Sequence, residues 1–152
     1  DPKRECSCTP IQIKKYVSRI SGPLLDRIDI HVEVPALNYQ ELTSKQEGEK
    51  SETIRERVKK SRDIQLERFS KDKIFCNAKM TTRHMKKYCV IDTDSEKLLE
   101  LAINKLGLSA RAYDRILKVS RTIADLVGEE KILQEHISEA IQYRSLDREN
   151  WY

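Results

Sequence analysis

LSARAYDRILKVSRTIADLV, residues 108–127, decides the fold of this chain. Ala112, Ile116, Val119, Ile123 and Leu126 recur at steps of three and four, the period of an amphipathic helix. Ser109 suits an N-cap, and Gly128 follows the last periodic residue where a C-cap glycine belongs. Two charges run against the helix dipole. Arg111 sits in the first turn and Asp125 in the last, and each placement is disfavoured by about 0.3–1 kcal/mol. The pattern leaves two readings of Arg111 open. It is a solvated surface charge, or it waits for an anion that would share the free amides of the helix start with the guanidinium.

Outward from this helix the chain reads as mainly helical. It has 152 residues, 38% apolar and 36% charged, with only 4 Gly and 4 Pro. That suits one domain or two small ones, built of helices on short links around a modest core. A net charge of +4, from 29 basic and 25 acidic residues, permits nucleic-acid contact without requiring it. No apolar run approaches a membrane span, and no signal peptide opens the chain, so a cytoplasmic protein with reduced thiols is the expectation. The opening DPKREC reads like the middle of a longer protein. Of the four cysteines, Cys6 and Cys8 form C-x-C, at best half a metal site. Cys76 and Cys89 lack zinc-finger spacing, and Cys89, within YCVI, reads as a small core residue.

Toward the N-terminus, Thr9 caps a first helix with Pro10 at its first position and Ile13, Tyr16, Val17 and Ile20 as its apolar face; Ser21-Gly22-Pro23 ends it. Residues 28–34, IDIHVEV, alternate strictly, so a strand is expected with Ile28, Ile30, Val32 and Val34 inward and His31 on the polar face. No second strand is evident. An orphan strand leaves its backbone groups unpaired, so its sheet should lie elsewhere in a larger protein. A polar connection over 36–48 leads to a long helix, Glu49–Phe69, with a thin stripe of Ile54, Val58, Ile64, Leu66 and Phe69. It reads as a largely solvated connector; Arg55, Lys59 and Arg62 offer a basic surface only diluted by acidic neighbours. Phe75 and Met80 should anchor the loop at 70–80. Short helices follow over Thr82–Tyr88, over a segment capped by Thr93 or Asp94 and closed by Gly107, and over Gln134–Arg144 with Ile137, Ala140 and Ile141 inward. The tail from 147 should fray.

Common catalytic motifs are missing. There is no phosphate loop of the form G-x-x-x-x-G-K followed by Ser or Thr, no G-x-G-x-x-G, no H-E-x-x-H and no G-x-S-x-G. What remains is arginine at defined places: Arg27 just before the expected strand, and Arg111 at a helix start. Arginine without a nucleophile suits phosphate binding and charge stabilisation in phosphoryl transfer.

CTPIQIKKYVSRISGPLLDRIDIHVEVP, with LSARAYDRILKVSRTIADLVGEEKILQEHISEAIQYRSLDR, resembles the C-terminal part of the bacterial magnesium-chelatase-like AAA+ ATPases of the ComM type. The resemblance spans nearly the whole chain and is weakest over 37–48 and 70–79. One departure is Ser120, where alanine is expected. The resemblance implies that residues 1–35 end the α/β AAA+ core, that 36–80 are a linker with the connecting helix, and that 81–146 form the helical lid. Walker A and Walker B would then lie upstream, and this chain alone should not hydrolyse ATP. Arg27, in the LLxRxD position, would be an arginine finger acting in trans. Arg111, in S-x-R, would be the sensor 2 residue on the ATP γ-phosphate, with Arg115 as runner-up. Cys6 and Cys8 could be half of a zinc site whose other pair is absent here. ATP and Mg2+ would be cofactors of the full-length protein, self-assembly into a ring of six its state, and DNA its client in branch migration during recombination and transformation. Two rivals stand beside this reading: a chelatase-like ATPase remodelling a metal-insertion protein partner, and a non-enzymatic helical interaction module.

Overall fold

A computed structural model describes residues 5–36, 39, 43 and 48–144. The expected tail from 147 and most of the connection over 36–48 lie outside the described residues. Among the described residues these α-helices run in order: α1 (Pro10–Val17), α2 (Gly22–Leu25), α3 (Ser51–Arg68), α4 (Thr82–Tyr88), α5 (Thr93–Leu106), α6 (Ala110–Val127) and α7 (Gln134–Gln142), with a 3-10 turn at Asn77–Lys79 between α3 and α4. The chain is mainly helical, as the periodicity requires, with no strand among the described residues.

Helix α6 is the spine. The Ser109 side chain accepts the Ala112 amide at 3.2 Å, and Gly128 takes φ +83° at the C-cap, a left-handed conformation that costs glycine nothing. Ala112, Ile116 and Ile123 are buried as the spacing requires, joined by Leu117 and Ala124, while Leu126 at the rim stays exposed. Around the spine pack α7, the last turns of α3, the 3-10 turn and α4, and α5 closes on α7. Leu99, Ile116, Ile132, Ile137 and Phe69 are at most 2% exposed and form the centre of one apolar cluster. Full burial of such side chains contributes about 1.5–3 kcal/mol each. Phe69 presents its face or edge to Tyr88 and His84 in near-perpendicular pairs, with centroids 5.5 and 6.2 Å away, which seats α4 on the end of α3. Ser120 is fully buried where alanine was expected. Its hydroxyl donates to the Ile116 carbonyl at 2.8 Å, so the helix itself satisfies it.

A polar knot fastens α3 to α6. The Asp125 carboxylate, wholly buried, accepts from Arg68 Nη1 at 2.7 Å and from Arg68 Nη2, from Arg121 Nε at 3.1 Å and from Asn77 Nδ2 at 2.7 Å. Arg68 Nη1 also donates to Asn77 Oδ1, and the Asn77 amide donates to Gln65 Oε1. Arg121 sends its remaining donors to the carbonyls of Glu129 and Glu130, pinning the turn into α7. Asp125 at a helix C-terminus is thus not misplaced: two guanidinium groups outweigh the helix dipole.

Several expectations are corrected. The α3 stripe fails: Ile54, Val58 and Leu66 are exposed, and the helix meets α6 through Ser61, Gln65, Arg68 and Phe69. Phe75 is 66% exposed and anchors nothing, although Met80 is buried. The α5 cap is Asp92, whose carboxylate accepts the Ser95 amide at 2.8 Å, rather than Thr93 or Asp94. Residues 29–36 pair with no strand, because a ladder needs a neighbour. The alternation survives with its faces exchanged: Ile28, Ile30, Val32 and Val34 are exposed and His31 is 5% exposed. With no sheet to receive the apolar face, the polar face turns to the helices. The His31 amide donates to the Tyr143 carbonyl at 2.7 Å, and Arg144 Nη1 donates to the Ile28 carbonyl. Likewise α1 starts at the expected Thr9 cap, which forms a capping box with Gln12, yet Ile13, Tyr16 and Ile20 remain exposed.

Asp125→Ala should cost about 3–5 kcal/mol in urea unfolding, because it leaves two buried guanidinium groups uncompensated. Asp94→Ala, which removes only an exposed pair with Lys97, should cost under about 0.5 kcal/mol. Equal effects would dismiss the knot as a stabilising centre.

Candidate functional site

The first turn of α6 carries the candidate site. Ser109 satisfies one amide of the helix start; the helix gives those of Ala110 and Arg111 no acceptor. Arg111 is exposed and forms no hydrogen bond or ion pair among the described residues. One turn on, Arg115 Nη1 lies 2.6 Å from Asp29 Oδ1, with side chains 31% and 42% exposed. Arg115, the runner-up to Arg111, therefore forms a tie between α6 and the segment after α2.

That tie brings the Arg27 neighbourhood to α6. Arg27 follows α2 and is exposed; its Nη1 donates to the Pro23 carbonyl at 2.7 Å. Neither nearby carboxylate, Asp26 nor Asp29, pairs with Arg27 among the described residues: Asp29 serves Arg115. So Arg27 is held by its own turn with its charge uncompensated among the described residues. Arg27 and Arg111 flank one ion pair, two residues before Asp29 and four before Arg115. Arg111 with the free amides of the helix start suits a phosphate-bearing ligand, and Arg27 offers a second exposed guanidinium on its own turn. The site supplies no phosphate loop and no carboxylate cluster for a metal; among the described residues no group of three or more His, Cys, Asp or Glu is placed to hold an ion.

Cys6 and Cys8 are exposed free thiols. Hydrogen bonds from the Cys8 backbone amide and thiol lower the Cys6 thiol from its ordinary range, and the same contact raises Cys8. Two sulfurs do not complete the four-ligand site that structural zinc requires. Cys89 is buried in the core as expected, and desolvation pushes its thiol up to about 11.

Arg68, Arg121 and Asn77, which fasten the far end of α6, and Arg144, which holds the segment after Arg27, carry no role in the sequence reading. For Arg121 a usable signal was present, since Arg121 and Asp125 stand at i,i+4 on the otherwise apolar face of α6.

The family model described as magnesium chelatase, subunit ChlI C-terminal, matches residues 48–144, and that of magnesium chelatase, subunit ChlI, matches residues 1–42. The chain belongs to the magnesium chelatase ChlI family. It is 48% identical over 141 residues to the competence protein ComM of Haemophilus influenzae, which covers 92% of this chain and 27% of that protein. The uncharacterized protein YifB of Salmonella typhimurium is 41% identical, over 93% of this chain and 27% of that protein. A protein of Mycobacterium tuberculosis, Rv2897c, is 28% identical over 95% of this chain and 28% of its own length. The chain thus spans about a quarter of the length of the curated relatives it matches. The C-terminal family unit begins before α3, so the long helix and the bundle it packs on fall within one unit of this chelatase-like AAA+ family. No helix among the described residues is long and apolar enough to cross a membrane.

Under limiting iodoacetamide near pH 8, Cys6 should alkylate first and Cys89 last in the native protein, with Cys89 reacting at an ordinary rate in denaturant. Peptide mass spectrometry reads the order. Early modification of Cys89 would contradict its place in the core.

Proposed function

We propose that this chain is the finger-and-lid portion of a cytoplasmic, ring-forming ATPase that remodels DNA. The observation that carries the reading is the contrast among arginines. Arg68 and Arg121 are engaged in the knot and Arg115 in a tie, while Arg111 stands open at the free-amide end of an 18-residue helix. Residues 1–35 would complete an ATPase core, 36–80 carry the connection and 81–146 serve as lid. Arg111 would hold the γ-phosphate of ATP bound in its own subunit, as a sensor 2 residue. Arg27, exposed on its turn, would reach the nucleotide of a neighbouring subunit as an arginine finger, which requires an oligomer such as a hexamer. ATP with Mg2+ would supply a phosphoanhydride whose cleavage changes the charge facing these guanidinium groups. Because Arg115 ties α6 to the segment behind Arg27, a shift of the lid would also pull on the finger's base.

DNA as client, with branch migration as the task, is supported by the ComM-type resemblance and by the competence protein among the relatives. A chelatase-like role on a metal-insertion partner is favoured by the family description instead. The two separate on whether DNA stimulates ATP hydrolysis.

In the full-length protein, Arg27→Ala should leave assembly and nucleotide binding intact and lower the hydrolysis rate by roughly a thousandfold or more, the scale of an arginine finger. Arg111→Ala should also abolish efficient turnover, whereas Arg115→Ala should chiefly loosen the fold. Full ATPase activity in both Arg27→Ala and Arg111→Ala rings would leave an interaction module as the better reading.

A further inference from the structure

The loop after α3 and helix α4 carry an unusual charge balance. Residues 71–87 hold Lys71, Lys73, Lys79, Arg83, Lys86 and Lys87 against one carboxylate, Asp72. That segment is net +5 in a chain of net +4, so the remaining residues together are net −1. Elsewhere cations alternate with acids, as on α3. Here they do not.

Folding keeps this charge together and outward. Asp72 lies 3.5 Å from His84 Nε2 and accepts from the Tyr88 hydroxyl at 3.4 Å, so the loop sits against α4 and its one acid is turned to side chains of that helix. The Lys87 ammonium donates to the Tyr88 hydroxyl at 2.8 Å and feels both Asp72 and Arg83, which places all four groups on one surface. Lys71, Lys73, Lys79, Arg83 and Lys86 are exposed.

Amid these cations stands Phe75, 66% exposed. It is not on a slack loop. On one side Ile74 packs against the core, and on the other Asn77 is buried and bonded to Gln65, Arg68, Thr122 and Asp125. Lys118 of α6 also donates to the Ala78 carbonyl at 3.3 Å. The fold therefore holds an aromatic ring out to water, at the cost of leaving a large apolar side chain unburied, with exposed Lys71, Lys73 and Lys79 within four residues of it in the chain. Backbone-tracking cations beside a rigid aromatic face are what single-stranded nucleic acid requires: phosphates meet the cations and a base stacks on the ring. A membrane surface is less well matched, because α4 turns Met85 inward and offers no apolar face.

We propose that residues 71–87 form a single-stranded DNA contact surface, with Phe75 as the stacking platform and Lys71, Lys73, Arg83 and Lys86 as phosphate ligands. This rests on the reading of the full-length protein as a DNA-remodelling motor, and it gives that motor a contact where its connection meets its lid, apart from Arg27 and Arg111.

The test is fluorescence anisotropy of the full-length protein with a labelled oligothymidylate across salt concentrations, paired with DNA-stimulated ATPase. Phe75→Ala should weaken binding by about fivefold to a hundredfold with the salt slope unchanged. Lys71, Lys73, Arg83 and Lys86 all changed to Ala should weaken it at least tenfold and flatten the slope by about 3, at ~0.7 per phosphate lost from a single strand. Arg55, Lys59 and Arg62 changed together to Ala should bind as the parent does. All these side chains are exposed, and unchanged thermal melts confirm intact folds. Parent-like binding by both patch variants overturns the surface, as does capture by phosphatidylserine vesicles without oligonucleotide binding. If DNA stimulates ATPase equally in parent and variants, the surface falls while the motor reading stands. If the patch binds DNA but DNA never stimulates ATPase, the motor reading falls while the surface stands.

Discussion

The buried carboxylate of Asp125 is the constraint on which the rest depends. A carboxylate and two guanidinium groups taken out of water cost several kcal/mol each unless every donor and acceptor is met. Here they are met: Arg68 arrives from α3, Arg121 from one turn earlier in α6, and Asn77 from the turn between α3 and α4. Because such a group of charges tolerates few geometries, it fixes the angle of α3 on α6, the path of the 70–80 loop and the exit toward α7 together. Apolar packing of Phe69, Ile116 and Ile137 supplies the cohesion. The knot supplies the register, since apolar surfaces alone slide at small cost.

Local signals in the sequence specified most of the helices. Thr9 with Pro10, Ser109, Gly107 and Gly128 stand where the backbone needs a cap, and each acts within a few residues of its own position. The knot is of another kind. Arg68 and Asp125 are 57 residues apart in sequence, so Asp125 read alone looks like a charge of the wrong sign. Its carboxylate makes sense only with partners that tertiary folding delivers. The same limit governs residues 28–34. Alternation reports which side chains share a face, and Asp29 and His31 do share one. It does not report which face is buried, because that depends on what else is present. Phe75 fails for a related reason: aromatic character gives a large gain on burial but does not oblige burial.

For the candidate site, residue types and spacing placed Arg111 at the start of α6 and Arg27 beside the extended segment. What spacing could not convey was the tie of Arg115 to Asp29, a contact between residues more than eighty positions apart. That tie joins α6 to the segment after Arg27, which spacing alone does not reveal.

The arginines sort by what has already claimed their charge. Arg121 is 3% exposed, and each of its three guanidinium nitrogens donates, to Asp125, Glu129 and Glu130; no developing charge outside could draw on it without tearing the knot. Arg68 is committed to the same carboxylate. Arg144 reaches back to Ile28 and closes the segment onto α7. Arg111 has the opposite environment: a helix start, free amides and water. A cation there costs the isolated helix a few tenths of a kcal/mol, and nothing among the described residues returns it. Placing the same residue type in saturated positions along the spine and in an unsaturated one at its tip produces a rigid rod with one open charge at its end.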